Sequence, residues 1–345
     1  MISGVPQGSV LGPVLFLIHI ADINSNVRFS TVSSFADDTR VLHSIESGAD
    51  CVQLQEDLDV IYSWAVENNM CFNGDKFEVL RYSTSGEPVP FLYKTLEGLD
   101  IREVTSTVDL GVIMSSSASF SEQVSSASSK ARKRMGWILR VFMTRERLPM
   151  LTLYKSIVLP LLEYCCQLWC PSAVGMIQQL ESVQRTFTFR IGGLQDSDYW
   201  NRLKILKLYS IERRRERYAI IYVWKILNRI VPNLDGVAAL TTHTSGRRGL
   251  ICNIPQLSSR ATQRITTLRE NSFAVRGPRL FNVLPRDLRA YDGELDGFKR
   301  LLDRFLSNVP DQPNLPNYSQ SAANNSLLNQ VLYVGRAQAR APIIE

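Results

Sequence analysis

Two carboxylates stand side by side at Asp37 and Asp38, inside the stretch SSFADDTR. Adjacent acids repel each other and lose hydration wherever a fold covers them, so such a pair persists where a cation or a turn backbone satisfies it. Two readings follow. A pair on a rigid tip can face a hard divalent cation, whose preferred ligands are carboxylate and phosphate oxygens. The same pair can be the solvated corner of a tight turn, because aspartate hydrogen-bonds its own backbone.

Cations are the other chemical resource. Lys130, Arg132, Lys133, Arg134 and Arg140 crowd one stretch beside Trp137, with no acid between Glu122 and Glu146. Arg213, Arg214, Arg215 and Arg217 form a second cluster, which Glu212 and Glu216 would neutralise in part at helical spacing. Both read either as solvated helix faces or as contacts to a nucleic-acid backbone. The charge of the chain is divided. Residues 1–129 hold 6 Lys/Arg against 17 Asp/Glu, a net of −11; residues 130–309 hold 31 against 14, a net of +17. A basic half of that size implies a polyanionic partner, nucleic acid before an anionic membrane.

Other chemistries are disfavoured. Three histidines and six cysteines without a C-x-x-C pair argue against zinc or histidine-based hydrolysis, and Cys165, Cys166 and Cys170 read as structural thiols in an apolar helical stretch. The apolar run Val10 to Ala21 is broken by Gly12 and Pro13 and is far short of the roughly 20 residues of a bilayer span. No basic n-region with a cleavage site opens the sequence, so an intracellular protein, in nucleus or cytoplasm, neither secreted nor membrane-spanning, is expected.

The elements that must position these residues can be read from their periods. Residues 1–9, MISGVPQGS, suit a loop, and Pro13 the first turn of an apolar helix. Val32–Ala36 and Thr39–Ile45 are β-prone runs joined at Asp37-Asp38, predicting a tight hairpin. An amphipathic helix is predicted over 48–68, with Cys51, Leu54, Leu58, Ile61, Tyr62 and Ala65 on one face. MCFNGDKFEVLRY predicts a strand pair turning at Asn73-Gly74. Shorter strands end in VDLGVIM, three or four helices run from about 121 to 230, and short strands and a last helix near 295–305 follow. Arg276 and Arg279 flank a Gly-Pro pair read as a turn.

SGVPQGSVLGP, FADD and FNGDKFEVL, in this order and spacing, resemble the reverse transcriptases of non-LTR retrotransposons, particularly jockey-like elements. VDLGV looks like the primer-grip strand of that family, and the resemblance continues through GWILRVF, LEYCCQLWCP, IERRRERY and VRGPRLFNVLP to about residue 309. It implies an RNA-directed DNA polymerase using Mg²⁺, with an RNA template, a DNA primer and deoxynucleoside triphosphates as partners. Asp37 and Asp38 would be the metal-binding and catalytic carboxylates. Gly4, Pro6, Gln7 and Gly8 would let backbone approach nucleotide and template, and Lys76 would stand near the triphosphate, although an exposed strand lysine is the plainer reading of its type.

The implied fold is α+β. A truncated palm at 1–129, an antiparallel hairpin sheet plus helices, precedes a helical basic thumb at 130–235, a small mixed basic module at 236–309 and a flexible tail at 310–345. The family's upstream aspartate strand and its fingers would precede residue 1, so the chain is expected to be inactive alone, with an exposed palm edge open to self-association. The alternative is a non-enzymatic nucleic-acid-binding remnant acting through the basic thumb.

Overall fold

The computed structural model describes residues 8–83, 89–233, 239–246, 249–256, 263–313 and 325–331. Helices and small two-stranded sheets make an α+β architecture. The chain divides into two compact units: residues up to Thr107 with Ser115–Ser117, and Val108–Met114 with the residues from Ala118 onward.

The first unit opens with α1 (Gly12–His19), where Ser9 Oγ accepts from Gly12 N at 3.0 Å and Pro13 occupies the first turn. The antiparallel pair β1 (Thr31–Phe35) and β2 (Asp38–Leu42) follows, then α2 (Gly48–Glu67). A capping box starts α2, with Asp50 Oδ2 accepting from Ser47 N at 2.7 Å. Its predicted face is the buried one: Cys51, Ile61, Tyr62 and Ala65 all point inward. Ile20, Ile23, Ile61, Trp64 and Ala65 form a core on which Val32 and Val41 of the hairpin pack.

The strand pair expected to turn at Asn73-Gly74 does not form. Gly74–Lys76 is a single 3-10 turn, and β3 (Glu78–Leu80) pairs in parallel with the distant β4 (Arg102–Val104). The cause lies in the aromatic residues on either side. Phe72 and Phe77 both pack on Tyr62 of α2, at 5.5 and 5.3 Å between ring centroids, and edge-on to each other at 5.8 Å. Drawing both flanks to one ring excludes an extended hairpin, and Glu78 is instead engaged by Arg102 and Thr107.

β5 (Ser106–Asp109) and β6 (Val112–Ser115) turn through Leu110 and Gly111, both at positive φ, 44° and 80°. The second unit then runs through α3 (Ser121–Val141), α4 (Arg147–Leu153), a π turn at Tyr154–Val158, α5 (Leu159–Glu163), α6 (Val174–Phe189), α7 (Tyr199–Leu206) and α8 (Ile211–Leu227). Beyond them lie the hairpin of β7 (Thr242–Ser245) and β8 (Gly249–Cys252), α9 (Gln263–Asn271), α10 (Phe273–Asn282), α11 (Arg286–Arg289) and α12 (Leu295–Ser307). Pro160 lacks the N–H that would close the preceding turn, which fits the π turn just before it.

One core gathers α3 through α7 around Tyr154, Leu162, Trp169, Phe187 and Ile191. A second gathers α8, α10 and α12 around Trp224, Phe281 and Phe298. The expected boundary at 129/130 falls inside α3, a single helix whose buried Val124, Ala127, Ala131, Met135 and Ile138 keep helical spacing across it. The Gly277-Pro278 pair is likewise helical, inside α10. A Cβ on Gly277 would come 2.9 Å from Val223 Cγ2 of α8, so the glycine sets how closely the two helices approach. Residues 310–313 and 325–331 are anchored: Asp311 accepts from Ser210 N and Oγ, both at 2.7 Å, and Leu327 is buried with its N–H on Glu216. Among the described residues no helix is long and apolar enough to cross a membrane.

Candidate functional site

The hairpin that carries the acid pair is tied down from below. Asp57, buried on α2, accepts from the N–H groups of Arg28, Phe29 and Ser30 at 2.9, 3.0 and 2.7 Å, which fixes the chain as it enters β1. Burial pushes the Asp57 carboxyl up, but the hydrogen bonds from Arg28, Phe29 and Ser30 outweigh it and hold it below the usual carboxylate range. The signal for this residue was present in sequence as an acid on the apolar stripe, three residues after Leu54 and four before Ile61.

The turn lies one residue earlier than expected. Phe35 pairs with Asp38, so Ala36 and Asp37 form the two-residue tip and Asp38 is the first residue of β2. Ala36 takes a left-handed φ of 51°, a conformation that costs an alanine about 1 kcal/mol or more. Strain of this kind is held by the surrounding pairing, here by Ser34 Oγ and Thr39 Oγ1 at 3.0 Å and by the Val32–Val41 pair beneath. Asp37 and Asp38 are both exposed, as is Phe35 beside them, at 64%.

A magnesium ion takes several oxygen donors. Among the described residues no group of three or more His, Cys, Asp or Glu side chains gathers to hold a metal. Asp37 and Asp38 alone therefore do not fit a resident magnesium pair. Asp22 is engaged elsewhere, accepting from Trp64 Nε1 at 3.1 Å. Lys76 is exposed on the 3-10 turn rather than on a strand. Gly8 has a positive φ of 81° with open space where a Cβ would stand. Gly4, Pro6 and Gln7 lie outside the described residues.

The two basic clusters have opposite fates. On α3, Lys130, Arg132, Lys133, Arg134 and Arg140 are all exposed, opposite the buried apolar stripe. At 100° per residue Lys130, Lys133, Arg134 and Arg140 share one arc with Trp137 in its middle, and Trp137 is 41% exposed. Arg132 lies on the other flank and donates to Ser182 Oγ at 2.8 Å. None of the five makes an ion pair with an acid among the described residues.

On α8 the arginines point in different directions and serve the interior. Arg213 is fully buried and donates to Pro310 O at 2.9 Å. Arg214 binds Glu163. Arg215 donates to Leu162 O at 2.7 Å and to Trp169 O, with its guanidinium 3.9 Å from the Trp169 ring centroid. Arg217 meets Asp303 at 2.6 and 2.8 Å. The physical reason is helical geometry: neighbours 100° apart cannot share a face, so a run of arginines reaches several packed elements at once. These residues hold the second unit together and are not an open phosphate-binding surface.

Residues 2–114 match the family described as reverse transcriptase (RNA-dependent DNA polymerase). The chain is 28% identical over 224 residues to the RNA-directed DNA polymerase from mobile element jockey of Drosophila melanogaster, covering 60% of this chain and 24% of that protein. It is 30% identical over 205 residues to the jockey polymerase of Drosophila funebris, covering 55% and 22%. The probable RNA-directed DNA polymerase from transposon X-element of Drosophila melanogaster is 26% identical over 201 residues, covering 56% and 22%. The chain thus spans about a quarter of the length of the curated relatives it matches. No solved structure matches it significantly.

Proposed function

We propose that this relative of the jockey-type reverse transcriptases is part of an RNA-directed DNA polymerase of a mobile element, comprising a portion of the palm, the thumb and a C-terminal module. In this reading the first unit presents Asp37 and Asp38 toward the polymerising centre, Lys76 and residues 4–8 belong to the nucleotide side, and α3 is the thumb surface that carries nucleic acid. Polymerases of this kind use a divalent metal, and magnesium suits the hard carboxylate oxygens. Because two carboxylates are an incomplete donor set, further oxygen ligands must join them before nucleotide addition, and we expect no primer extension by this 345-residue chain alone. A fusion that joins the upstream region of a jockey-type relative to this chain should extend a primed RNA template, and Asp37→Asn in it should not.

The observation that carries the nucleic-acid reading is the free basic arc of α3 around Trp137. Phosphates are held there by the cationic side chains, and the indole offers bases a stacking face without reading their edges. If about four phosphates are neutralised, log K should fall against log salt with a slope of about −3.6. Reversing Lys130, Lys133, Arg134 and Arg140 to Glu should flatten that slope and weaken all sequences alike. Affinity independent of salt, or unchanged by the reversals, would remove α3 from the interface. Retained binding without any rescue of extension by the fusion would favour the second reading, a nucleic-acid-binding protein without polymerase chemistry.

A further inference from the structure

A cavity of about 280 Å³ lies in the second unit, between the start of α8, α10, the end of α9 and the Cys170–Ser172 loop. Its walls carry three arginines, Arg215, Arg276 and Arg279, and three glutamates, Glu212, Glu216 and Glu270. The charges do not cancel locally. Glu270 is engaged by Arg279 at 3.4 Å. Glu216 takes Leu327 N on its two oxygens at 3.0 and 2.9 Å and stands 3.6 Å from Arg213.

Arg276 and Arg215 form no ion pair with an acid among the described residues, although Glu216 feels the charge of Arg276. Arg276 Nη2 reaches the carbonyls of Gln167 and Cys166 at 3.3 and 3.5 Å, while its buried Nε and Nη1 have no partner among the described residues. Arg215, 3% exposed, uses both terminal nitrogens on carbonyls and leaves Nε unmatched. Glu212 Oε2, on the same wall, also lacks a partner. Burial, reinforced by the neighbouring Glu216 and Glu181, pushes the Glu212 carboxyl well up from its ordinary range. The first amides of α8 are not the donors, because Ile211 N is bound by Glu181 and Arg213 N by Ser210 Oγ.

We propose that this cavity binds a phosphoryl group, its oxygens taking the unmatched guanidinium donors of Arg276 and Arg215. Guanidinium nitrogens buried without acceptors are strongly unfavourable, and a tetrahedral oxyanion supplies several acceptors at once. A phosphate monoester, near two negative charges at neutral pH, balances two guanidinium ions where a single carboxylate cannot. The phosphoryl group can come from free phosphate or from the 5′ end of a nucleic-acid strand. The cavity shares no lining residue with the hairpin or with α3.

The test uses the full chain with Lys130, Arg132, Lys133, Arg134 and Arg140 reversed to Glu, so that α3 cannot contribute. Inorganic phosphate should raise the melting temperature saturably beyond sodium chloride of equal ionic strength, and titration calorimetry should give a finite Kd. Arg276→Gln should raise that Kd about tenfold or more, the loss of a charged hydrogen bond, and Arg276→Lys should fall between. If Arg276→Gln does not fold, Arg276→Lys, which keeps the charge but loses the guanidinium donors, gives the same reading with a smaller loss. A 5′-phosphorylated oligonucleotide binding more tightly than its 5′-hydroxyl counterpart, with the preference lost in Arg276→Gln, assigns the strand end as the source; equal binding assigns free phosphate. No saturable shift beyond chloride, an equal shift from acetate, or a phosphate Kd unchanged in the arginine variants would overturn the proposal.

Discussion

Asp57 shows how much of the candidate site depends on a residue that does no chemistry. Its carboxylate closes three N–H groups ahead of β1; with an amide in its place all three lose the charged acceptor and at least one faces an NH2 donor instead. We expect Asp57→Asn to destabilise the chain by about 1–3 kcal/mol at pH 7. The pH dependence has a definite sign. A carboxyl whose folded pKa is depressed contributes stability above its unfolded pKa and loses it as pH falls through the folded value, so the gap between the parent chain and the Asp57→Asn variant should close in acid. Urea unfolding at pH 7 and at about pH 3 checks both halves. The acid pair itself was legible from its flanking β-prone runs. Its register was not, because the tip is made by Ala36 at a left-handed φ, a place where sequence rules look for glycine or asparagine.

At the scale of elements, α2 was readable because a long apolar period leaves one solution, and it buries the face that its sequence describes; α3 was expected as a helix from its start near 121, without its buried stripe. The stretch around Asn73-Gly74 was misread because a turn signal was overruled by two phenylalanines seeking the same tyrosine. The α8 arginines and the Gly277-Pro278 pair were misread for a related reason: a one-dimensional run conceals which side of a helix each residue occupies. Gly277 gives this a measurable form. Gly277→Ala should destabilise by about 1–3 kcal/mol, since its methyl must displace Val223 or Phe273. Val223→Ala in the same chain should recover part of the loss, so a double-mutant cycle should report a coupling well outside additivity.

Across the whole molecule, the buried acids of the second unit oppose Asp57. Burial raises Glu181 to about 7, against a hydrogen bond from Tyr199, and raises Glu216 to about 7, against the nearby charge of Arg213. A carboxyl with a raised folded pKa costs stability as pH climbs from its unfolded value, here 4.5, toward 7, and nothing further beyond. Thermal unfolding should therefore occur at higher temperature near pH 5 than near pH 8, and Glu216→Gln should flatten that slope. The charge division between acidic and basic halves was plain in the sequence, but composition could not say that Arg202, Arg213, Arg215 and Arg289 are buried. The C-terminal residues also escaped prediction, because what orders 325–331 is a set of polar anchors on Glu216, Ser210 and Asp311 together with Leu327, Leu328 and Val331 packed on the core of α8, α10 and α12.

The placement of Trp137 has an optical consequence. The other tryptophans, Trp64, Trp169, Trp200 and Trp224, are buried, so collisional quenchers such as acrylamide should act chiefly on the one indole that faces water from α3. Nucleic acid laid along that helix would shield or stack on the same ring, so the chain contains a fluorophore at the surface where binding is proposed. Emission should fall or shift on titration with oligonucleotide, and Trp137→Phe should remove both that response and most of the acrylamide quenching. An undiminished response in the Phe variant would place the bound strand against some other face of the protein.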